Sequence, residues 1–448
     1  MKVAWHFPRS EKRRAFNAPL LASPSVSDLK SNSTELITLN SGLRVVLQKI
    51  PQVQSCVVQV LVGAGTVTES EDLPGISHFV EHMVFTGTKT KKEREIYKVA
   101  ESGIEFNACT SEDNTGYYIV GHSSFAQQYA QLLLDMLFNP SFVPQKIKKE
   151  KRIVSLELGG QKDSLGEHLT EIIMGQMFKG HPYSRNIIGT RESIRSFNQD
   201  NLFEYHKKTY HPKNIILAVA GDFDSDEVLK VAESFNDNDF SGMDFIQQDV
   251  PVKETFPGIV IDDKKSKVAH VSIFTTGTSV FDENKQAIKI FDMKLGNPVY
   301  SLMYRKITRE GKMAYSADTD SDSCRYGGIF GVDANSVAPG DVGKVLDIVV
   351  SEFERLRKQG INPEKLEVLK KQCVAQNDLL AKPLQDTVEK TARDVLYHNR
   401  IISRDELNSE IDSITPERLQ IVANRIFDPK NYVVAIVGPK NRIGNISV

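Results

Sequence analysis

The chain has 448 residues, of which 40% are hydrophobic and 25% charged. These are the proportions of an ordinary soluble globular protein, so a wholly disordered chain, a collagen-like repeat and a coiled-coil rod are excluded, and the length implies two large domains or about three ordinary ones. Lys and Arg number 56 against 58 Asp and Glu, a net charge of −2 that gives no electrostatic footprint for nucleic acid, and no apolar run approaches the roughly 18 residues of a membrane span.

Residues 1–27 carry Lys2, Arg9, Lys12, Arg13 and Arg14 against Glu11 alone, with no apolar stretch behind the charges. A secretory signal is therefore not expected. Residues 1–33 read as a basic, disordered extension, with a mitochondrial-type presequence as the alternative because acids are scarce. Strand-like alternation begins at Thr34. Residues 35–39 and 43–47, joined by Asn40-Ser41-Gly42, read as a hairpin, and Ser55–Val62 as a buried β-branched strand. Pro74-Gly75 opens a helix running to about Val84. Helices over Phe125–Phe138 and Gln145–Leu158 and strands over Thr115–Gly121 and Ile215–Ala220 follow. The mixture predicts an α+β fold of helices on an antiparallel-rich sheet.

Residues 236–257 are polar, acidic and aperiodic, and read as a linker. Beyond them the pattern restarts: Gly258–Ile261 and Ala269–Phe274 repeat the opening strand pair. Pro212-Lys213-Asn214 leads into an apolar strand ending at Gly221, and Pro429-Lys430-Asn431 into one ending at Gly438, with equal spacing. A Ser-Ile pair, Ser193-Ile194 and Ser413-Ile414, marks the start of the helix before each. Two homologous halves are expected, 34–235 and 258–448. Duplication followed by divergence predicts one surviving active centre. Cys56, Cys109, Cys324 and Cys373 show no CxxC pairing and are expected to be reduced, buried or half-buried side chains.

One motif carries chemistry: His78-Phe79-Val80-Glu81-His82, inside the helix after Gly75. At about 100° per residue, His82 lies about 40° round the helix from His78, and Glu81 about 60° the other way. Two imidazoles one turn apart can grip one zinc ion, and Glu81 stands beside that ion as a base for its water. With 10 histidines in the chain, chance supplies such a pentapeptide on the order of 0.01 times. A zinc of this type needs a third protein ligand. The 145–158 helix places Glu150 and Glu157 seven apart on one face, among Ile147, Ile153 and Val154. Carboxylates on a partly buried face need a cation or a donor to meet them, which zinc at Glu157 and a hydrogen bond from Glu150 to a ligand or to substrate would supply. Taken alone, the two glutamates also fit ordinary solvated charges.

The sequence resembles the pitrilysin/insulinase family of zinc peptidases, in its mitochondrial-processing-peptidase-like subgroup, from about Thr34 to Gly438. In that family HxxEH is followed about 75 residues later by the third ligand, with another Glu seven before it. Glu157 stands 75 residues after His82, and Glu150 seven before Glu157. The resemblance implies one Zn2+ per chain held by His78, His82 and Glu157, with Glu81 as general base and Glu150 as supporting carboxylate. Phe106-Asn107-Ala108-Cys109-Thr110 is similar to the family's GGxxNAxT edge strand, which implies that Asn107 and Ala108 pair with an extended substrate backbone. Gly103-Ile104 stands where the family has Gly-Gly. Arg309-Glu310-Gly311-Lys312-Met313-Ala314-Tyr315-Ser316 is similar to the RExxGLAYS segment, implying substrate-binding roles for Arg309 and Tyr315 and a catalytic one for Tyr315. Arg309 stands six residues before Tyr315 rather than seven, so without a gap Thr308 takes the Arg position and Lys312 the Gly position. The local alternative is a helix running into a strand with Tyr315 packed.

By resemblance the halves form a clamshell, and the activity is metalloendopeptidase cleavage of peptides or unfolded polypeptide segments inside a closed chamber. A homodimer is expected because both active-site parts occur in one chain. The expected compartment is the cytoplasm, or the mitochondrial matrix if the basic N-terminus is a presequence. A presequence-processing subunit needing a partner chain and a non-catalytic core-type subunit are the competing readings. The other histidines (His6, His122, His168, His181, His206, His211, His270 and His398) form no HxxEH-type pair and are expected to be structural or at the surface.

Overall fold

A computed structural model describes residues 33–51, 53–161, 163–235, 249–296, 301–378 and 384–446. The basic extension, but for Ser33, and the larger part of the 236–257 linker lie outside the described residues. The chain forms two compact units.

The first unit is built on a six-stranded sheet of order β1-β2-β6-β3-β5-β4. Its strands are β1 (Ser33–Thr38), β2 (Arg44–Lys49), β3 (Ser55–Val62), β4 (Gly103–Thr110), β5 (Thr115–His122) and β6 (Ile215–Gly221). β1 and β2 form the expected hairpin, closed at Gly42 with φ 88° and by the Leu39–Leu43 backbone bond, a left-handed turn that glycine enters without Cβ strain. β2 runs parallel to β6, and every other neighbouring pair is antiparallel. One face packs Val45, Leu47, Val58, Val60, Tyr117 and Leu217 against helices that include Ile76–Val84 and Ala126–Phe138. The opposite face packs Val46, Val57, Leu61 and Ile216 against Val388, Ala392, Val395 and Leu396 of the helix Leu384–His398. Both faces are covered, which is why β6 reads as an unbroken apolar run and β3 as one interrupted only by Gln59 after Ser55, instead of alternating.

The second unit holds a five-stranded sheet of order β7-β11-β8-β10-β9, with β7 (Gly258–Asp263), β8 (Ala269–Thr276), β9 (Ser316–Ser323), β10 (Gly328–Val337) and β11 (Val433–Gly438). β11 is parallel to β7 and antiparallel to β8, and β10 bridges β8 and β9. Strand for strand this repeats β2-β6-β3-β5-β4, so the halves are duplicates in topology. The pair 258–261 and 269–274 corresponds to β2 and β3, not to the β1–β2 hairpin, and is separated by β11. The two Pro-Lys-Asn motifs form matching 3-10 turns before β6 and β11. Ser193-Ile194 lies at the start of a short helix, Arg191–Ser196, as expected, but both Ser-Ile pairs stand ahead of the helices that lead directly into these turns, Gln199–Thr209 and Pro416–Ile426. Those starts are set instead by Asn198 and Thr415, whose side chains accept from backbone N–H groups in the first turn.

The compact units differ from the two stretches of sequence by a pair of exchanged segments. Residues 163–184, with the helix Leu165–Met177, pack into the second unit against β8 and β11, while residues 384–402, with Leu384–His398, pack into the first. Both helices are amphipathic, and amphipathicity alone does not say which sheet a helix covers. Among the described residues, no helix is long and apolar enough to cross a membrane.

Candidate metal centre

The helix Ile76–Val84 begins where glycine is required. Gly75 has φ 86°, and a Cβ there would stand 2.4 Å from the Ile188 carbonyl oxygen. Glu69, buried, closes the helix start by accepting from the Gly75 and Ser77 backbone N–H groups at 2.9 and 3.0 Å and from Ser77 Oγ at 2.7 Å. These are donors that a helix start otherwise leaves unsatisfied, and a carboxylate also complements the helix dipole. Burial pushes the Glu69 carboxyl up to about 7, with the hydrogen bonds from Ser77 and Gly75 pulling the other way. Ser77 Oγ and Thr68 Oγ1 each lie 2.8 Å from Tyr205 OH, tying the helix start to Gln199–Thr209. Sequence reasoning missed this brace; its one signal was the Pro74-Gly75 step.

Every residue of the 76–84 helix is buried. His78 and His82 sit with ring centroids 4.7 Å apart. The helix Pro144–Gln161 brings two carboxylates to them. Glu157 Oε1 lies 3.6 Å from His78 Nε2, and Glu157 Oε2 3.3 Å from His82 Nε2. Glu150 Oε2 lies 3.5 Å from His82 Nδ1. His78, His82 and Glu157 each offer a ligand atom within 4.8 Å of the others. Two imidazole nitrogens and one carboxylate oxygen are the donor set of a three-ligand zinc site with an open fourth position, so the residues present fit that ion. Glu150 meets the far nitrogen of His82, the contact that orients a ligating imidazole.

Burial works against a proton on His82, but its hydrogen bonds to the Glu150 and Glu157 carboxylates and the charge of Glu81 outweigh it, raising the imidazole to about 9. Without a cation, the cluster therefore keeps a proton where positive charge is needed. Glu81, on the same helix, accepts from Thr110 Oγ1 at 2.5 Å. The sequence-predicted five, His78, Glu81, His82, Glu150 and Glu157, are thus brought together within the first unit. Glu150 faces His82, one of the three residues that offer ligand atoms.

Asn107 and Ala108 lie on β4, the outer strand of the first sheet. Ala108 N donates to Asn107 Oδ1 at 3.0 Å. Cys109, expected at least half-buried, is exposed: its neighbours Ala108 and Thr110 take the covered face, so it takes the other. The four cysteines form no disulfide. Arg309 and Tyr315 belong to the second unit. Arg309 sits in a π-helical turn, Tyr304–Glu310, a form often found at functional positions. Tyr315, just before β9, is 82% exposed, so the packed alternative does not hold. Lys312 has φ 54°, the conformation glycine favours, in keeping with the ungapped match that sets Lys312 at the Gly position.

The insulinase (peptidase family M16) domain matches residues 44–191, and the peptidase M16 inactive domain matches residues 196–373. The chain therefore belongs to the insulinase, or M16, peptidase family. It is 25% identical over 407 residues to the "uncharacterized zinc protease YmxG" of Bacillus subtilis, covering 91% of this chain and 98% of that one. It is 26% identical over 461 residues to the mitochondrial-processing peptidase subunit beta of Mus musculus, covering 98% and 93%. In fold it resembles the crystal structure of a protease from Helicobacter pylori, with a TM-score of 0.81 at 20% identity over 91% of this chain and all of that one. A peptidase M16 inactive domain from Pseudomonas fluorescens gives a TM-score of 0.83 at 16% identity over 93% and 100%. The "inactive" label on the second match is in keeping with the absence of HxxEH from the second half.

Proposed function

We propose that the chain is a zinc metalloendopeptidase, with one ion held by His78, His82 and Glu157, acting on peptides or unfolded segments within a closed chamber. The observation that carries this reading is the convergence of two imidazoles and a carboxylate beside a buried Glu81, in a chain of a peptidase family. Zinc, when bound, supplies Lewis-acid polarisation of a carbonyl and an acidified water. Glu150 keeps the proton of His82 on Nδ1 and so leaves Nε2 as the ligand atom. Glu81 accepts a proton on the oxygen that Thr110 does not hold and returns it to the leaving amine. An extended substrate is aligned by backbone pairing along β4 at Asn107 and Ala108. Tyr315 and Arg309 supply donors for substrate carbonyl oxygens. The working assembly is a homodimer.

The test is zinc content and cleavage of a quenched, unstructured peptide by the purified chain, with Glu81→Gln in parallel. About one zinc per chain and cleavage lost only in the variant are expected. Zinc without cleavage would favour a second reading, a subunit that needs a partner chain, which the likeness to a processing-peptidase beta subunit over most of the chain supports. Neither zinc nor cleavage would refute both.

A further inference from the structure

Thr110 is the last residue of β4, and Ala108 and Thr110 are its buried members. The strand packs against the HxxEH helix, so this face carries the Thr110 hydroxyl to Glu81. Thr110 Oγ1 donates to Glu81 Oε2 at 2.5 Å, with both residues buried. A threonine hydroxyl has a single proton to give, and here it goes to the carboxylate. Thr115, which faces Thr110 in the β4–β5 ladder, has its own hydroxyl 2.7 Å from the Ala64 carbonyl oxygen and 3.3 Å from Thr110 Oγ1.

We propose that Thr110 is a positioning residue for Glu81: its hydroxyl holds Oε2 and so helps set the direction in which the carboxylate meets the reacting proton. This rests on the peptidase reading above. The terminal torsion of a glutamate is soft and nearly two-fold, so an unheld carboxylate samples many orientations. A β-branched threonine is stiff at χ1, and its hydroxyl direction is set by the strand that bears it. Thr110 thus acts on the chemistry through Glu81. It also stands two residues beyond Ala108, on the strand proposed to align the substrate. One rigid strand then fixes both the peptide register and the orientation of the base, so that a shift of β4 displaces the two together.

The comparison is Thr110→Val, which keeps the shape and removes the donor, against Thr110→Ser, which keeps the donor and removes a methyl. Thr110→Ala serves the same comparison if the valine variant does not fold. Removing the donor is expected to lower kcat about tenfold or more, with KM within about twofold and zinc content unchanged; Thr110→Ser is expected to restore most of kcat. Wild-type kcat in Thr110→Val, a serine variant as slow as the valine one, or a change in KM alone would overturn the inference. A readout independent of turnover comes from thermal unfolding of the zinc-free chain. Thr110→Val is expected to lower the melting temperature in the wild-type background and to have little effect beside Glu81→Ala. Additive shifts would overturn the inference. An inactive wild type with non-additive shifts would refute the peptidase reading while leaving the Thr110–Glu81 link standing.

Discussion

Replacing Glu150 by Gln removes a negative charge 3.5 Å from His82 Nδ1 while preserving the shape of the side chain. Two effects follow, of opposite sign. Loss of the carboxylate that supports a ligating imidazole weakens metal binding by about 10- to 100-fold, or about 1.4–2.7 kcal/mol. Against this, the negative charge of Glu150 favours the imidazolium form of His82, whose Nε2 proton the metal must displace. With the imidazole raised to about 9 in the metal-free site, that proton weakens zinc binding by about 1.5 log units at pH 7.5, and the penalty vanishes above about pH 9. Removing Glu150 relieves part of it. The full loss of affinity is therefore expected only at about pH 9.5, and a smaller loss near pH 7. The assay is a chelator competition titration of zinc on wild type and Glu150→Gln at both pH values. A ratio of dissociation constants below about twofold at the higher pH would refute the supporting role. A larger ratio at neutral pH than at alkaline pH would refute the proton-competition argument.

Three further outcomes are expected. Gly75→Ala forces an L side chain into φ 86° and sets its Cβ against the Ile188 carbonyl; a loss of at least about 2 kcal/mol is expected by denaturant unfolding, and a change below about 0.5 kcal/mol would contradict the tight approach. His206 is buried and stacks on Tyr210, with its Nε2 2.6 Å from the Leu137 carbonyl oxygen. Burial lowers it to about 4, so the unfolded chain takes up this proton first. Stability is whole above about pH 6.5 and falls by about 3 kcal/mol as pH drops to 4; His206→Gln is expected to flatten that slope, and an unchanged slope would show that other groups cause it. His82→Ala is expected to abolish stoichiometric zinc after dialysis, while retention of about one ion per chain would exclude His82 as a ligand.

Much of the fold was legible because its elements obey local periods. β3 was read at its observed bounds from β-branched enrichment, and the 76–84 helix from its Pro-Gly entry and apolar spacing. His78, Glu81 and His82 were legible for the same reason: five consecutive residues on a helix fix their own geometry. Glu157 needed the family spacing, since a carboxylate on a Lys-rich helix looks the same whether solvated or ligating. The Glu81–Thr110 and Ser77–Tyr205 bonds join residues 29 and 128 apart, and no local pattern announces a contact made by packing. The exchange of the 165–177 and 384–398 helices was hidden for a related reason, because a period of 3.6 reports an apolar stripe but not its destination.

That exchange makes the chain hard to divide. Expressed alone, residues 1–235 would carry an orphan apolar helix, 165–177, and would lack Leu384–His398 over Val57, Leu61 and Ile216. Residues 258–448 would have the reciprocal defect at β8 and β11. Each fragment would expose a sheet face of the kind that drives aggregation. Mixed together, each supplies what the other needs, so co-expressed fragments are expected to co-purify as a soluble complementing pair, and single fragments to precipitate. Two halves knit in this way are expected to lose the freedom that tandem domains usually keep: deleting either copy would strip the other of a helix over its sheet, which gives the copy without HxxEH a structural role beside any it has in binding.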